Sequence, residues 1–407
     1  MAGTALPADR PGGLRLSEAR GRWALMAVVV GSGITFLDST VVNVALPAIG
    51  RDLGASLAGL QWTVNAYTLT LASFILLGGS LGDRFGRRRL FVIGAVWFAL
   101  ASLACGVAPD IAVLVAARAL QGVGGALLTP GSLAIIQASF APDDRARAIG
   151  AWSGLGGIAG ALGPLLGGWL VDTASWRWVF LINVPLSAFA VYLAARHVPE
   201  TRDRTADGRF DWPGALLCAA GLAGITYALI EGAGSGANLA LVTAAAVAGA
   251  AALAAFAVVE RHSGHPMLPP GMFASRQFTA ANLVTFAVYA ALGGAFFFLV
   301  LQLQIQAGFS ALTAGAALLP VTAVMLLLSE RSGRLAQRIG PRIPMTAGPA
   351  ISAVGLLLMV RIGAEASYWA DVFPAVCVFG LGLAVTVAPL TATVLGAAED
   401  RVAGIAS

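Results

Sequence analysis

The chain has 407 residues, of which 58% are hydrophobic and only 11% are Asp, Glu, Lys or Arg. A soluble domain carries about 25% charged residues because water must wet most of its surface. The composition therefore excludes a soluble enzyme, and its high hydrophobicity excludes a disordered chain. The net charge of +5 does not indicate nucleic-acid binding, because all 25 basic residues are Arg and lie between apolar runs rather than in one patch.

Apolar runs of the length of a membrane-spanning helix recur through the whole chain. Such a helix needs roughly 20 residues, and the sequence predicts twelve spans and an all-α integral membrane protein. The approximate limits of the spans are 23–47, 59–81, 90–108, 111–137, 148–171, 179–195, 213–230, 238–259, 280–305, 313–329, 344–362 and 369–396.

The arginines divide unequally when alternate loops are assigned to opposite sides of the membrane. The side of the N-terminal segment receives nearly all of them, whereas the other side receives only Arg51, Arg177 and Arg361, and Arg118 lies within a span. By the positive-inside rule, the N-terminus is predicted to be cytoplasmic and the protein to lie in the cell membrane. One miscounted span would mix the two groups, so the unequal division also supports the count of twelve.

Segments of the chain resemble each other in the same order and at similar offsets, which indicates two homologous halves. The matching pairs are 79–88 with 333–342, 122–130 with 380–389, and 144–145 with 400–401. Span 2 thus corresponds to span 10, so spans 7 and 8 are predicted to be inserted between two six-helix halves.

The predicted domains follow from this register. They are an N-terminal tail and six-helix bundle over 1–196, a cytoplasmic linker with two inserted helices over 197–265, and a C-terminal bundle over 266–407. The second bundle contains counterparts of four spans, and two further spans are expected to complete it.

An ordered set of motifs resembles the major facilitator superfamily, specifically its fourteen-span drug:proton antiporter family. The likeness runs from about Trp23 to the last residue. Its motifs lie at 37–47 in span 1, 79–88 in the loop after span 2, 118–124 in span 4, 163–168 in span 5 and 176–185 at the start of span 6. The resemblance implies two helical bundles around a central cavity and a multidrug-efflux transporter driven by protons.

Asp38 is the one acid deep in a span, and an intramembrane acid usually faces a cavity or a partner. A rise of 1.5 Å per residue places Asp38 roughly 22 Å and Arg118 roughly 20 Å from the inner face. We expect the two side chains to approach each other, and loss of the pair in another conformation would load a proton on Asp38. The resemblance implies a role in proton transfer for Arg118. A static ion pair that fixes helix packing is the alternative.

Polar side chains on spans 2 and 4 are candidates for the substrate cavity. Arg118, Gln121, Gly122, Gly125, Thr129 and Ser132 share one face of span 4 by their spacing, and this face is predicted to be wet. On span 2, a second stripe contains Gln61, Asn65 and Thr68. Interhelical hydrogen bonding is the alternative for Gln121 and Thr129, and Trp62 is expected to be an interface anchor.

A stripe of glycines lies on one face of span 5, beside a proline that lacks a backbone donor. The stripe consists of Gly156, Gly160, Gly163, Pro164 and Gly167. The resemblance implies a hinge and seal typical of exporters, whereas tight helix packing is the structural alternative.

The loop after span 2 is expected to control the conformation. In the superfamily, its Asp and Arg form a cytoplasmic charge lock that favours the outward-open state. The resemblance assigns the lock to Asp83, Arg84 and Arg88, and a part in the same conformational gating to Gly79 and Gly86. The second copy of the loop has Gln337 in the position of Asp83, so a symmetrical lock is not expected.

The sequence thus predicts a proton-coupled antiporter that exports amphipathic or hydrophobic drugs and antibiotics by alternating access. Its expected partners are a small-molecule substrate, protons and the lipid bilayer, with no nucleic acid, no cofactor and no metal. Some members of the resembled family carry further membrane acids that help to recognise dications, whereas span 10 here has none before Glu330, so monovalent or neutral substrates are expected. Proton-coupled uptake by symport and a non-transporting receptor or interaction protein are the alternatives.

Overall fold

The computed structural model describes residues 13–202, 211–234, 236–263, 266, 268 and 270–397, which fold almost entirely into helices. In these residues, twelve helical segments are long and apolar enough to cross a membrane. The predicted all-α class and number of spans are therefore confirmed. The repeat predicted at Asp400 and Arg401 lies outside the described residues, as do Arg10, Arg204, Arg209 and His265.

The spans are formed by fourteen α-helices, because two of the described spans consist of two helices each. In chain order the helices are α1 Ala19–Leu53, α2 Leu57–Phe85, α3 Arg87–Gly106, α4 Ile111–Ser139, α5 Pro142–Thr173, α6 Trp178–Leu181, α7 Asn183–His197, α8 Trp212–Gly232, α9 Leu239–His262, α10 Arg276–Leu301, α11 Ala311–Ala316, α12 Leu319–Ile339, α13 Arg342–Met359 and α14 Phe373–Ala397.

Prolines account for the two divided spans. A proline lacks the backbone N–H and its ring clashes with the carbonyl four residues earlier, which interrupts a helix. Pro185 lies four residues after Leu181, where α6 ends. Pro320 similarly lies four residues after Ala316, where α11 ends. The hydrophobic runs predicted spans 6 and 10, but they did not indicate these interruptions.

The helices α1 to α7 pack together as a first group around α1 and α4. The helix α1 packs against α5, α7 and α4, while α4 packs against α2 and α3. Glycines permit these close approaches, since a Cβ on Gly122 would collide with α2 at Tyr67 and one on Gly124 would collide with α3 at Phe98. The apolar core of this group runs along both halves of α1.

The helices α10 to α14 form a second group that repeats these contacts. A Cβ on Gly380 would collide with α12 at Val321, and one on Gly382 would collide with α13 at Ser352. Gly380 and Gly382 are the predicted counterparts of Gly122 and Gly124, so α14 contacts α12 and α13 as α4 contacts α2 and α3. The remaining helices α8 and α9 pack against each other, and α8 also packs against α2.

The main contacts between the two groups lie near one end of the described helices. We call the end where α1, α3 and α5 begin the arginine-rich face, and the opposite end, which carries Arg51, Arg177 and Arg361, the arginine-poor face. Near the arginine-poor face, α5 packs against α11, and α1 packs against α10 and α11. Toward the arginine-rich face, Gly150, Gly154 and Gly157 of α5 have open space where a Cβ would lie. The structure is therefore closed at the arginine-poor face.

Candidate functional site

Asp38 and Arg118 form an ion pair in the interior of the first group. The Nη1 atom of Arg118 on α4 donates to Oδ2 of Asp38 on α1 at 2.5 Å. Their side chains are 0% and 1% exposed, respectively. Asp38 and Arg118, which the sequence places at similar depths in the membrane, are therefore in direct contact. Whether the pair transfers protons stays a prediction.

The Asp38 carboxylate accepts further hydrogen bonds from two amide side chains. Gln121 Nε2 on α4 and Asn183 Nδ2 on α7 each donate to Oδ1 of Asp38 at 2.9 Å. The same Gln121 amide lies 2.8 Å from the hydroxyl of Ser102 on α3. Donors from two helices thus satisfy both carboxylate oxygens of Asp38.

The Arg118 guanidinium has acceptors besides Asp38. Its Nη1 donates to Oε1 of Gln121 at 2.6 Å, and its Nε donates to the backbone carbonyl of Thr63 on α2 at 2.9 Å. The ring of Tyr67 lies 4.3 Å from the guanidinium carbon, within range of a cation–π interaction. A side chain held in this way can lose its contact with Asp38 and still keep hydrogen-bond partners.

The prediction that one face of α4 is wet is wrong for this conformation. Arg118, Gln121, Gly122, Gly125 and Ser132 are all buried, and only Thr129 of that set is half-buried. The physical reason is that this face packs on α2 and α1, where Arg118 and Gln121 pair with each other and with Asp38. Interhelical hydrogen bonding, the alternative for Gln121, is what the structure shows.

The residues predicted to line the substrate cavity do not form one accessible surface in this conformation. Gln61 and Asn65 are half-buried and Thr68 is exposed on α2, whereas Gln121 is fully buried beside Asp38. The Thr129 hydroxyl is buried without a hydrogen-bond partner. A contact of Gln121 with substrate would require a different conformation.

The loop between α2 and α3 contains an ion pair that differs from the expected one. Asp83 pairs with Arg87 at 2.7 Å rather than with Arg84 or Arg88. Arg88 lies 3.7 Å from Glu200, whose carboxylate also accepts the backbone N–H of Arg88 at 3.1 Å.

Two glycines of this loop have distinct surroundings. Gly86 has a φ of 111°, a conformation that favours glycine and makes the turn into α3 possible. Gly79 lies beside Pro130 of α4. A gating role for this loop remains a prediction.

The glycine stripe of α5 packs against α1. A Cβ on Gly156 would contact Phe36, one on Gly163 would collide with Thr40, and one on Gly167 would collide with Val41. The helix α5 continues through Pro164, and the hydroxyl of Thr40 lies 3.0 Å from the carbonyl oxygen of Gly160. This carbonyl is the acceptor that the N–H missing from Pro164 would otherwise bind, and the Thr40 hydroxyl is also 3.0 Å from the carbonyl oxygen of Leu37. Tight packing is therefore present, and a hinge role remains a prediction.

Sequence reasoning missed three side chains of the Asp38 site. Asn183 donates to the Asp38 carboxylate, and the Ser102 hydroxyl binds the amide of Gln121. The ring of Tyr67 covers the guanidinium of Arg118. The available signal was a polar residue inside a membrane-length apolar run, since such a group requires a buried partner. Asn183 belonged to a recognised motif, but the sequence did not fix the direction of its side chain.

Curated proteins similar to this chain are antibiotic resistance and export proteins. The puromycin resistance protein of Streptomyces alboniger is 38% identical over 96% of this chain and 78% of its own length. The tetracenomycin C resistance and export protein of Streptomyces glaucescens is 35% identical, over 98% and 75%. The methylenomycin A resistance protein of Bacillus subtilis is 36% identical, over 96% and 84%.

Solved structures with low sequence identity share the fold. A bacterial homologue of the human lysosomal transporter Spinster, in an inward-facing and unoccupied conformation, superposes with a TM-score of 0.65. It is 19% identical and covers 96% of this chain and 78% of its own. A D-xylose–proton symporter superposes with a TM-score of 0.64 at 13% identity, over 95% and 85%.

The family comparison agrees with the repeated helix contacts and with the motifs along the chain. The model of the Major Facilitator Superfamily matches residues 28–407, which include every described span from the first turns of α1 onward. The chain belongs to the major facilitator superfamily of membrane transporters.

Proposed function

We propose that this protein is a proton-coupled antiporter of the fourteen-span drug-efflux type that exports amphipathic or hydrophobic small molecules. Membership of the superfamily makes it a membrane transporter and not an enzyme. Its relatives are named for resistance to, or export of, antibiotics, which supports substrates of that class. The observation that carries the proton coupling is the buried pair of Asp38 and Arg118, because ionisable groups at membrane depth are costly and mark transport pathways.

The coupling requires Asp38 to alternate between an ionised and a protonated form. In the structure, Arg118 and two amides donate to the Asp38 carboxylate, and the side chains of Asp38 and Arg118 are buried. When the helices move and Arg118 turns to Gln121 and the Thr63 carbonyl, Asp38 loses its counter-charge and binds a proton. Return of Arg118 expels that proton. Exchange of this proton for substrate would drive export.

The substrate is proposed to bind between the two groups of helices. Gln61, Asn65 and Thr68 on α2 are the candidate contacts, with Gln121 and Thr129 joining them in another conformation. The described part of α11 and α12 has no acid before Glu330, which pairs with Arg334 near the arginine-rich face. This distribution favours monovalent or neutral substrates over dications.

The proposed orientation places the arginine-rich face in the cytoplasm, in the cell membrane. The distribution of the arginines supports it through the positive-inside rule. The structure closed at the arginine-poor face then corresponds to a state open toward the cytoplasm, from which an exporter would load its substrate.

The test is gradient-driven accumulation in inside-out vesicles, where export from the cytoplasmic face becomes uptake into the lumen, with puromycin and tetraphenylphosphonium as probes. We expect Asp38→Asn to abolish accumulation driven by a proton gradient, because the amide cannot carry a proton. Asp38→Glu keeps a titratable group and should retain part of the activity. The matched control is Asp143→Asn, which removes an exposed carboxyl at the start of α5.

Two outcomes would contradict the proposal. One is full gradient-coupled transport by an Asp38→Asn protein. The other is a pH change on substrate addition whose direction corresponds to co-transport of protons with substrate, since that result would indicate uptake by symport. Size-exclusion chromatography and thermal unfolding of each variant show whether a loss of transport reflects a loss of folding.

A further inference from the structure

A cavity of about 600 Å³ lies between α2, α4 and α8 in the arginine-poor half of the protein. It is separate from the Asp38 site. Its floor is closed by the Thr70 hydroxyl of α2, which donates to the Ala119 carbonyl of α4 at 2.8 Å. Ala112 and Ala116 of α4 are exposed at its rim, so the cavity opens to the outside of the bundle.

One carboxylate and one indole define the polar end of this cavity. Glu231 in the last turn of α8 is the ionisable residue among those that line it. The Trp62 indole N–H donates to Oε1 of Glu231 at 3.0 Å. The ring of Tyr227 lies 6.3 Å from that of Trp62. The negative charge is thus fixed beside an aromatic surface.

The remaining walls are apolar. Leu69 on α2 and Ile111, Val115 and Ala119 on α4 line the cavity next to Trp62 and Glu231. A carboxylate beside hydrocarbon is costly unless it has a counter-charge, and the indole hydrogen bond satisfies only one of its oxygens. A cation near Glu231 would gain both the charge interaction and the attraction of the aromatic ring faces.

We propose that this cavity is a second binding site, which takes a single amphipathic organic monocation. The cationic group lies at Glu231 and Trp62, and the apolar body lies along Leu69, Ile111 and Val115. The site is distinct from the cavity between the two helical groups and requires neither Asp38 nor movement of the Asp38 pair. The helix α8 thereby contributes a carboxylate to a binding site, in addition to packing against α2.

The test measures protection of a cysteine within the cavity. In a Val115→Cys protein in phosphatidylglycerol nanodiscs, alkylation by N-ethylmaleimide is followed at residue 115 by mass spectrometry, which separates it from the native cysteines. Tetraphenylphosphonium should slow this alkylation in a saturable way. Tetraphenylborate, which has a similar shape and the opposite charge, should not.

Two variants remove the polar groups one at a time. Glu231→Gln keeps the size and an acceptor for the Trp62 N–H, and it should raise the half-protecting concentration of tetraphenylphosphonium about tenfold. Trp62→Phe keeps a ring but loses the hydrogen bond and should have a smaller effect. Glu365→Gln, an exposed residue on the same side of the protein, is the control and should leave protection unchanged.

Three results would overturn the proposal. They are equal protection by tetraphenylborate, unchanged protection in the Glu231→Gln protein, and the absence of protection by tetraphenylphosphonium in nanodiscs that contain phosphatidylethanolamine. The last result would assign the site to the ammonium group of a lipid instead. The comparison of the two ions needs no Glu231 variant, so it remains decisive if a substitution at Glu231 prevents folding.

Discussion

Asp38 and Arg118 are tolerated at membrane depth because each compensates the charge of the other. The site draws on five helices: α1 and α4 supply the pair, α2 a carbonyl to Arg118, α7 an amide to Asp38, and α3 a hydroxyl to Gln121. The free energy of such a site depends on complete pairing. Removal of one charge leaves the other buried without a counter-charge, which typically destabilises by about 3–5 kcal/mol.

A double-mutant cycle separates stability from coupling at this pair. We expect Arg118→Gln to lower the free energy of unfolding by about 3–5 kcal/mol, because Asp38 is then buried without its counter-charge. Adding Asp38→Asn to Arg118→Gln should recover most of that loss, since both charges are then absent. Thermal unfolding in detergent micelles measures each step, with Asp143→Asn as the control.

Transport by the same double variant decides between a coupling role and a static ion pair. If the pair transfers protons, the double variant recovers stability but not gradient-driven export. If the pair only fixes helix packing, export returns together with stability. Recovery of gradient-driven export would therefore contradict the role proposed for Asp38 and Arg118.

The helix α5 links the two groups because its small residues pack on both sides. Toward α1 it presents Gly163 and Gly167, and toward α11 it presents Gly168 and the carbonyl of Pro164. Gly315 of α11 packs against that carbonyl. The closed arginine-poor face thus depends on the absence of side chains at the contact between α5 and α11.

The substitution Gly168→Ala should favour conformations that are open at the arginine-poor face. A Cβ at this position would collide with the backbone of Leu312. Overpacking of this kind costs about 1–3 kcal/mol, which corresponds to a shift in the conformational equilibrium of about 5- to 150-fold. Gly154→Ala makes the same chemical change on the same helix, but at a position with open space, and should have no such effect.

Spin labels on Arg51→Cys and Arg361→Cys measure this opening, because both residues are exposed at the arginine-poor face. Double electron–electron resonance should show a larger population of long distances in the Gly168→Ala protein than in the Gly154→Ala protein. Equal distance distributions in the two proteins would show that the contact of α5 with α11 does not control the closed state.

At the scale of the whole molecule, the sequence predicted the spans and the repeat but not the directions of side chains. Span number and depth follow from the constant rise of a helix and from the length of apolar runs, so Asp38 and Arg118 could be placed at one level. The rotation of each helix depends on packing with its neighbours. Helical periodicity alone therefore predicted that the face of α4 with Gln121 is in contact with water. It could not predict that the Asn183 side chain binds Asp38.

The two groups are also joined by polar contacts at the arginine-poor face. Asp172 near the end of α5 accepts the backbone N–H groups of Ala311 and Leu312 at 3.1 and 2.9 Å, through different carboxylate oxygens. The amide of Gln304 donates to the carbonyl of Val44 on α1 at 2.9 Å. The Asp172 carboxylate thus binds across the interface that must separate when the arginine-poor face opens.

Asp172→Asn should weaken this closure. An asparagine offers one acceptor oxygen, and its NH₂ group faces a backbone N–H that it cannot bind, so one of the two hydrogen bonds is lost at a cost of about 1–2 kcal/mol. The same spin-label pair should report a larger open population than in the wild-type protein, whereas the control Asp143→Asn should not change it. A closed population equal to that of the wild type would show that apolar and glycine packing alone hold the arginine-poor face together.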